Sequence, residues 1–412
     1  MTGIHFWLAI LYLPVCGSKQ SVRHTAATAS TPSVGNHLAL GQETPVELNQ
    51  NMHIPDGYLS PSTCATLYLC ATAGWYAALK HIKRLLATRA IPLISVFAAF
   101  SFVVMMFNVP LPGGTTGHAV GVGVAAIVLG PWGSILAISI AIAIQALFFG
   151  DGGITTLGAN CFNMAIVGSF AAYAVYRLIA AKSNLNSRQR VLAAAVAGYV
   201  AINASALVTA VELGIQPSLF HDASGTPLYA PYPLHVAIPA MMIGHLTFAG
   251  LAEAVISAGM VSYLQRADLG LLRGVSGLAQ TPAPVVAGAL VERSPGRLWW
   301  AVAFLMLFTP LGILAAGTAW GEWSSADLTN PHTRQRIGIA SGNHAPPSSV
   351  PLGIQKFSSL WTAPFPGYAP RFIKSPQLGY LLSAMFGVGV LVLASLLSIM
   401  AARKWPVKKL GT

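Results

Sequence analysis

The side chains able to do chemistry here are few, and the most suggestive two are adjacent. Met52 and His53 open the stretch Met52-His53-Ile54-Pro55-Asp56-Gly57-Tyr58-Leu59-Ser60-Pro61, just before the first long apolar segment. A free amine on Met52, the amide nitrogen of His53 and the His53 imidazole would chelate one divalent metal through adjoining five- and six-membered rings. All three donors would be nitrogens, and a fourth would close the square plane that nitrogen donors favour for Ni(II) or Cu(II). His118, at the start of a short apolar helix, is the candidate fourth, although a histidine at a helix start is more often structural. The set contains no carboxylate. Asp56 and Asp151 are candidates to hold an imidazole N–H from behind, with the amides of Asn108 and Gln145 as further supports. Turn chemistry explains Asp56 in Pro55-Asp56-Gly57, and Asp151 in its Gly-rich run, about as well. Cys161 reads as packing.

The elements that must position these residues are membrane helices. Of 412 residues 54% are apolar and 8% charged, far below the roughly 25% charge of soluble domains. Nine candidate membrane segments follow Met52, at about 61–79, 91–109, 118–129, 131–149, 160–176, 191–211, 234–264, 298–316 and 378–402. Alternate threading puts Lys80, Lys83, Arg84, Arg89, Arg177, Lys182, Arg188, Arg190, Arg266, Arg273, Arg293, Arg297, Arg403, Lys404, Lys408 and Lys409 on one side, 16 of the 23 Lys and Arg. The positive-inside rule makes that side cytoplasmic. Met52 and the loop leading to His118 then face outward, which favours His118 as a ligand. The short third segment, ended by Gly130-Pro131, lies beside a Gly-rich loop, where transporters often place a site. Gly117-x-x-x-Gly121 would permit close helix packing.

The net charge of +12 does not signal nucleic acid, because the basic residues sit at helix ends and form no basic face. Four cysteines show no C-x-x-C spacing, which excludes a zinc knuckle. Gly113-Gly114-Thr115-Thr116-Gly117 lacks the lysine of a phosphate-binding loop, so no ATP hydrolysis is expected of this chain alone. Residues 1–51 differ in character: an apolar run at 6–15 is followed by a Ser/Thr/Ala-rich stretch, and no Lys or Arg precedes the run as a signal peptide requires. We expect translation to begin at Met52, with an N-terminal anchor or signal as the alternative. The rest divides into a membrane domain at 52–265, a Gly/Pro/Ala-rich cytoplasmic linker at 266–297 and a two-helix extension at 298–412 with a long polar outer loop.

Glu212, His221, Asp222 and His235 fall in or near the outward loop 212–233, and His245 and Glu253 lie within the seventh segment. Ionisable residues at membrane depth invite a functional reading. A metal-dependent intramembrane enzyme using His245, Glu253 and Asp222 is therefore one alternative, although no H-E-x-x-H is present. A passive metal channel is another.

Several motifs resemble one family. The 52–61 stretch looks like the mature N-terminus of the CbiM/NikM family, substrate-binding subunits of energy-coupling factor transporters for cobalt and nickel. The resemblance continues through Pro110-Leu111-Pro112-Gly113-Gly114-Thr115-Thr116-Gly117-His118-Ala119, Phe148-Phe149-Gly150-Asp151-Gly152-Gly153 and Gly158-Ala159-Asn160-Cys161-Phe162-Asn163-Met164. It persists in Glu212-Leu213-Gly214-Ile215-Gln216-Pro217 and Tyr229-Ala230-Pro231-Tyr232-Pro233-Leu234. It covers roughly 52–270 and implies an all-α polytopic fold, seven helices in the core and two in the extension. It implies Co(II) or Ni(II) as the transported ion, held by the Met52 amine, the amide and imidazole of His53, and His118, with no further cofactor. The implied partners are a CbiQ-like transmembrane coupling protein and CbiO-like ATPases. The two-helix extension resembles the small CbiN or NikN subunit in topology. An inner-membrane location follows, with the metal site outside and the C-terminus in the cytoplasm. The departure from the family is the 51 residues before Met52, since within a longer chain Met52 offers only a peptide nitrogen.

Overall fold

The computed structural model describes residues 52–86, 90–111, 113–180, 183–272, 296–315, 317–370 and 372–404. The expectations for 1–51 and for most of the linker lie outside them. All described residues fall within one compact unit.

The architecture is helical, as the composition requires. The helices are α1 (Pro61–Leu86), α2 (Ala90–Met105), α3 (Val122–Phe149), α4 (Leu157–Ala180), α5 (Arg188–Leu219), α6 (Leu234–Ala267) and α7 (Gly296–Leu314). Three short helices follow, α8 (Ser325–Thr329), α9 (Pro331–Ala340) and α10 (Leu352–Phe357), before the long α11 (Pro376–Lys404). By length and composition six described helices can cross a membrane. With α1, the shorter apolar α2 and the division of α3, the helical segments match the nine read from the sequence.

That division sits at Gly130, whose φ of 72° and ψ of 170° interrupt the helix just before Pro131. Proline has no N–H to continue a helix, and a positive φ costs glycine little, so Gly130-Pro131 turns the chain. The arm 122–129 leads away from His118, and the longer arm 131–149 returns toward the same place, ending at Gly150 and Asp151. Every residue from Val122 to Val128 is buried, so the short arm is lined by protein on all sides. Small residues permit this: a Cβ at Gly123 would lie 2.8 Å from the Gly198 Cα in α5. Glu253 of α6 caps the arm. Its Oε2 accepts from the amides of Val120 (2.7 Å) and Gly121 (2.8 Å), and its Oε1 accepts from Gly123 (3.0 Å). A carboxylate there satisfies donors that no helical carbonyl reaches.

The Gly-rich loop before His118 is more ordered than the sequence suggested. Asn108–Leu111 (β1) and Thr115–His118 (β2) form an antiparallel hairpin in which Asn108 pairs with His118. Gly113 and Gly114 take positive φ in the connection. Gly117 and Gly121 therefore do not form the helix-packing motif expected of them. Gly117 belongs to β2, and Gly121 is the left-handed residue at the head of α3, with φ of 74°.

The extension returns to the hairpin. The Thr116 amide donates to the Thr318 carbonyl (3.2 Å), Thr116 bridges Ala319 in parallel, and the Arg336 Nη2 donates to the Gly114 carbonyl (3.0 Å). α7 and α11 pack on α2 and on each other, and the Tyr380 hydroxyl donates to the Met106 carbonyl (2.9 Å). The polar outer loop carries its own helix signals. Ser324 and Asp327 form a capping box for α8, and Asn330 caps α9 with Pro331 in its first turn. Trp320, Trp323 and Tyr232 cluster beneath these short helices, which ties them to the membrane domain.

Candidate metal centre

Met52, His53 and His118 meet at one end of the helices, all three buried. The segment carrying the first two is held by the loop between α3 and α4 and by α4 itself. The Ile54 amide donates to Asn160 Oδ1 (3.1 Å), and the Ile54 carbonyl accepts from Asn160 Nδ2 (3.2 Å), the Thr156 hydroxyl (2.5 Å) and the Gly153 amide (3.0 Å). One asparagine thus reads both backbone groups of Ile54 and fixes the turn that projects His53. The Tyr58 hydroxyl donates to the Trp323 carbonyl (2.6 Å), so the same segment is pinned by the extension.

Asp151 organises the donors. Its Oδ1 lies 2.7 Å from the Met52 nitrogen and 2.9 Å from His53 Nδ1. These are two of the nitrogens that the chelate requires, and one carboxylate oxygen sits in their bite, where a cation would be drawn. The other oxygen accepts from the Tyr368 hydroxyl (2.7 Å), which in turn accepts from Gln145 Nε2 (2.9 Å). Burial pushes the Asp151 carboxyl up, but the charge of His53 and the hydrogen bonds from His53, Tyr368 and Met52 overcome it, and the net shift is downward. Asp151 therefore stands ionised against the Met52 and His53 nitrogens.

His118 ends β2, outside the spanning helices, with its ring centroid 5.3 Å from that of His53. Its Nδ1 is 3.0 Å from the Ala119 carbonyl and its Nε2 is 3.3 Å from the Met52 carbonyl. A neutral imidazole carries one proton, so only one of these nitrogens donates to its carbonyl; with the proton on Nδ1, Nε2 keeps the lone pair that a metal would take. Burial, followed by the neighbouring His53, lowers the His118 imidazole to about 4, so the ring is neutral as a metal donor must be. His53 Nε2 is buried without a hydrogen-bond partner among the described residues.

The three residues line a cavity of about 70 Å³, whose lining also includes Met164, Thr209, Met241, His245, Trp320 and Glu322. His245 starts a π turn, His245–Ala249, and Asn163 and Met164 lie in another, Cys161–Val167. Such widened turns re-aim side chains and recur at functional sites. Among the described residues no three His, Cys, Asp or Glu side chains lie close enough to hold an ion by themselves. A site here would need main-chain nitrogens, as the chelate expected at Met52-His53 would provide.

The other sequence candidates go elsewhere. Asp56 does not touch His53; it accepts from the amides of Ile154 (3.1 Å) and Thr155 (2.7 Å) and from the Thr155 hydroxyl (2.5 Å), which is the turn role weighed for it. Asn108 is buried opposite His118 in the hairpin with both side-chain polar atoms unpartnered among the described residues. Gln145 supports Tyr368, and Cys161 is buried packing. Glu253 is spent on its cap, and Asp222 is in an exposed turn accepting from Ser224 and Thr226. His245 faces the cavity, so the three residues of the enzyme alternative do not converge. Sequence reading gave no site role to Tyr368, Trp320 or Glu322, which reach the site from far along the chain.

The family description "Cobalt uptake substrate-specific transmembrane region", CbiM, matches residues 53–270. This chain belongs to the CbiM family. It is 51% identical over 341 residues to the fused nickel transport protein NikMN of Rhodobacter capsulatus, covering 83% of this chain and 95% of that one. The probable fused nickel transport protein LarMN of Lactiplantibacillus plantarum is 39% identical over 83% of this chain and 96% of its own length. The cobalt transport protein CbiM of Geobacter sulfurreducens is 34% identical over 68% of this chain and 76% of its own. A crystal structure of a transition metal transporter, 52% identical, covers 53% of this chain and 94% of that one with a TM-score of 0.50. A match of 341 residues must run beyond residue 270. The C-terminal extension thus fits a fused architecture, in a multi-pass membrane protein of a cobalt and nickel transport family.

Proposed function

We propose that this protein is the metal-capture subunit of an energy-coupling factor importer in the inner membrane, taking Ni(II) or Co(II) at its outer face. The ion is held in a plane by the Met52 amine, the His53 amide and Nδ1, and His118 Nε2. One observation carries this reading: the Met52 nitrogen and His53 Nδ1 converge on a single buried carboxylate oxygen, beside a neutral His118 in the same cavity. Four coplanar nitrogens favour nickel, in keeping with the fused relatives named for nickel.

Energy comes from partners, a CbiQ-like coupling protein and CbiO-like ATPases, in line with the absence of a P-loop lysine in this sequence. The extension takes the place of a separate CbiN- or NikN-like subunit, and the bias of basic residues supports a cytoplasmic C-terminus. The amine is available only in a chain that begins at Met52, and the intact mass of the protein from its native host tests that start. The decisive experiment is metal uptake in cells carrying the partner subunits. His53→Ala and His118→Ala should each abolish accumulation while the chain remains inserted in the membrane. Normal accumulation by both variants would overturn the assignment.

A further inference from the structure

Glu322 belongs to the extension, in the turn between α7 and α8, and it is nine-tenths buried, with 8% of its surface exposed. That turn is firmly placed. The Glu322 amide donates to the Ala319 carbonyl (3.2 Å), Ala319 bridges Thr116 of the hairpin, and Trp323 accepts from Tyr58. The side chain lines the same cavity as Met52, His53 and His118. Its Oε2 is buried without a hydrogen-bond partner among the described residues, as is His53 Nε2. Burying a carboxylate oxygen without a donor costs free energy, and the turn nevertheless holds this one in the lining of the pocket that also contains the candidate nitrogen donors. A divalent cation supplies the missing positive charge.

We propose that Glu322 is a capture carboxylate for the transported cation: the extension contributes to the pocket lining a carboxyl group that takes up its negative charge when a cation enters. This inference rests on the metal-capture reading above and assigns a further binding residue to it. Amine, deprotonated amide and two neutral imidazoles carry one negative charge between them, so a dication so bound keeps an excess positive charge. Asp151, in contact with the Met52 and His53 nitrogens, and Glu322, in the cavity lining, both attract that charge. Burial and Asp151 push the metal-free Glu322 carboxyl up, so its proton leaves as the cation arrives. No tight three-side-chain cluster is needed, because Glu322 acts as a charge facing the ion while the nitrogens bind it.

The test is calorimetric titration of Ni(II), and separately Co(II), into the protein beginning at Met52, its start verified by intact mass, purified in detergent, comparing wild type with Glu322→Gln and Glu322→Asp. Thermal unfolding of each metal-free protein is measured alongside. E322Q is nearly isosteric and should weaken binding about tenfold or more, with a metal-free unfolding midpoint equal to or above wild type. E322D keeps the charge and should bind more tightly than E322Q. E322Q binding within about twofold of wild type would overturn the proposal, as would a loss of affinity matched by a falling midpoint and not rescued in E322D. Wild type that binds neither ion would overturn the underlying capture reading, a failure distinct from equal binding by wild type and variant.

Discussion

The short arm 122–129 depends on one carboxylate, and that dependence can be measured. Glu253 takes three amides, those of Val120, Gly121 and Gly123, at 2.7, 2.8 and 3.0 Å. In Glu253→Gln the shape is kept, but only one oxygen remains. Placed at the Oε2 position it still serves Val120 and Gly121, and the new NH2 then confronts the Gly123 N–H, donor against donor. An orphaned buried N–H costs about 1–3 kcal/mol. Loss of charge from the two remaining bonds adds about 1 kcal/mol, and relief of the buried charge offsets part of the total. The net is a destabilisation of roughly 2–3 kcal/mol, with its effect focused on the start of the arm. His118 precedes Val120 by two positions, so the metal donor should shift with it. The assay is thermal unfolding of the full chain in detergent followed by tryptophan fluorescence, paired with Ni(II) titration. The midpoint should fall by about 2–4 °C and the affinity should drop. An unfolding midpoint within about 1 °C of wild type, with unchanged affinity, would refute the capping argument.

Two further outcomes follow from the site. Asp151→Asn removes the charge that faces Met52 and His53; it also removes a competitor for their nitrogens. A unit charge pair at about 4 Å is worth roughly 4 kcal/mol in a partly polar interior, more than a charge-assisted hydrogen bond of about 1.5–3 kcal/mol, so the charge dominates. D151N should weaken Ni(II) binding by roughly 10–100-fold in equilibrium dialysis, and tighter binding would mean that competition wins. Metal affinity should also fall in acid, because amine and amide must lose protons to bind. The His118 ring, lowered to about 4, stays neutral through this range and adds nothing to the loss. Dissociation constants measured from pH 8 down to pH 6 should rise roughly tenfold per pH unit for each proton released, and a flat profile would exclude the amine–amide chelate.

The membrane helices were legible because their cause is local. A run of apolar residues about 20 long declares itself whatever surrounds it, and Gly130-Pro131 announced a break by the same local logic. Met52-His53 stood out as a candidate for the same reason, since adjacent residues would fix the chelate rings. The hairpin was harder, because Pro and Gly dominate its connection and hide the β-branched Val109, Thr115 and Thr116. The role of Glu253 was invisible: its partners are backbone amides some 130 positions away, and no side-chain pattern encodes them.

The carboxylates show where sequence reading is least able to decide. Asp56 stands near His53 in sequence and Asp151 far from it, yet Asp151 takes the imidazole and Asp56 closes the turn at Ile154 and Thr155. The reason is directional. Asn160 fixes both backbone groups of Ile54, so the chain leaves His53 on one heading and reaches Asp56 on another, against the loop 153–155. A Cβ on Gly153 would crowd the Asp56 carboxylate at 2.6 Å from its Cγ, which shows how closely that loop is drawn in. The same loop begins at Asp151, held from above by Tyr368 of the extension. Asp56 thus contributes indirectly: by holding one end of the loop 151–155 it sets where the other end can stand. The extension fixes that other end through Tyr368, so the donors at Met52 and His53 are aimed jointly by a turn close in sequence and by a segment more than 200 residues downstream.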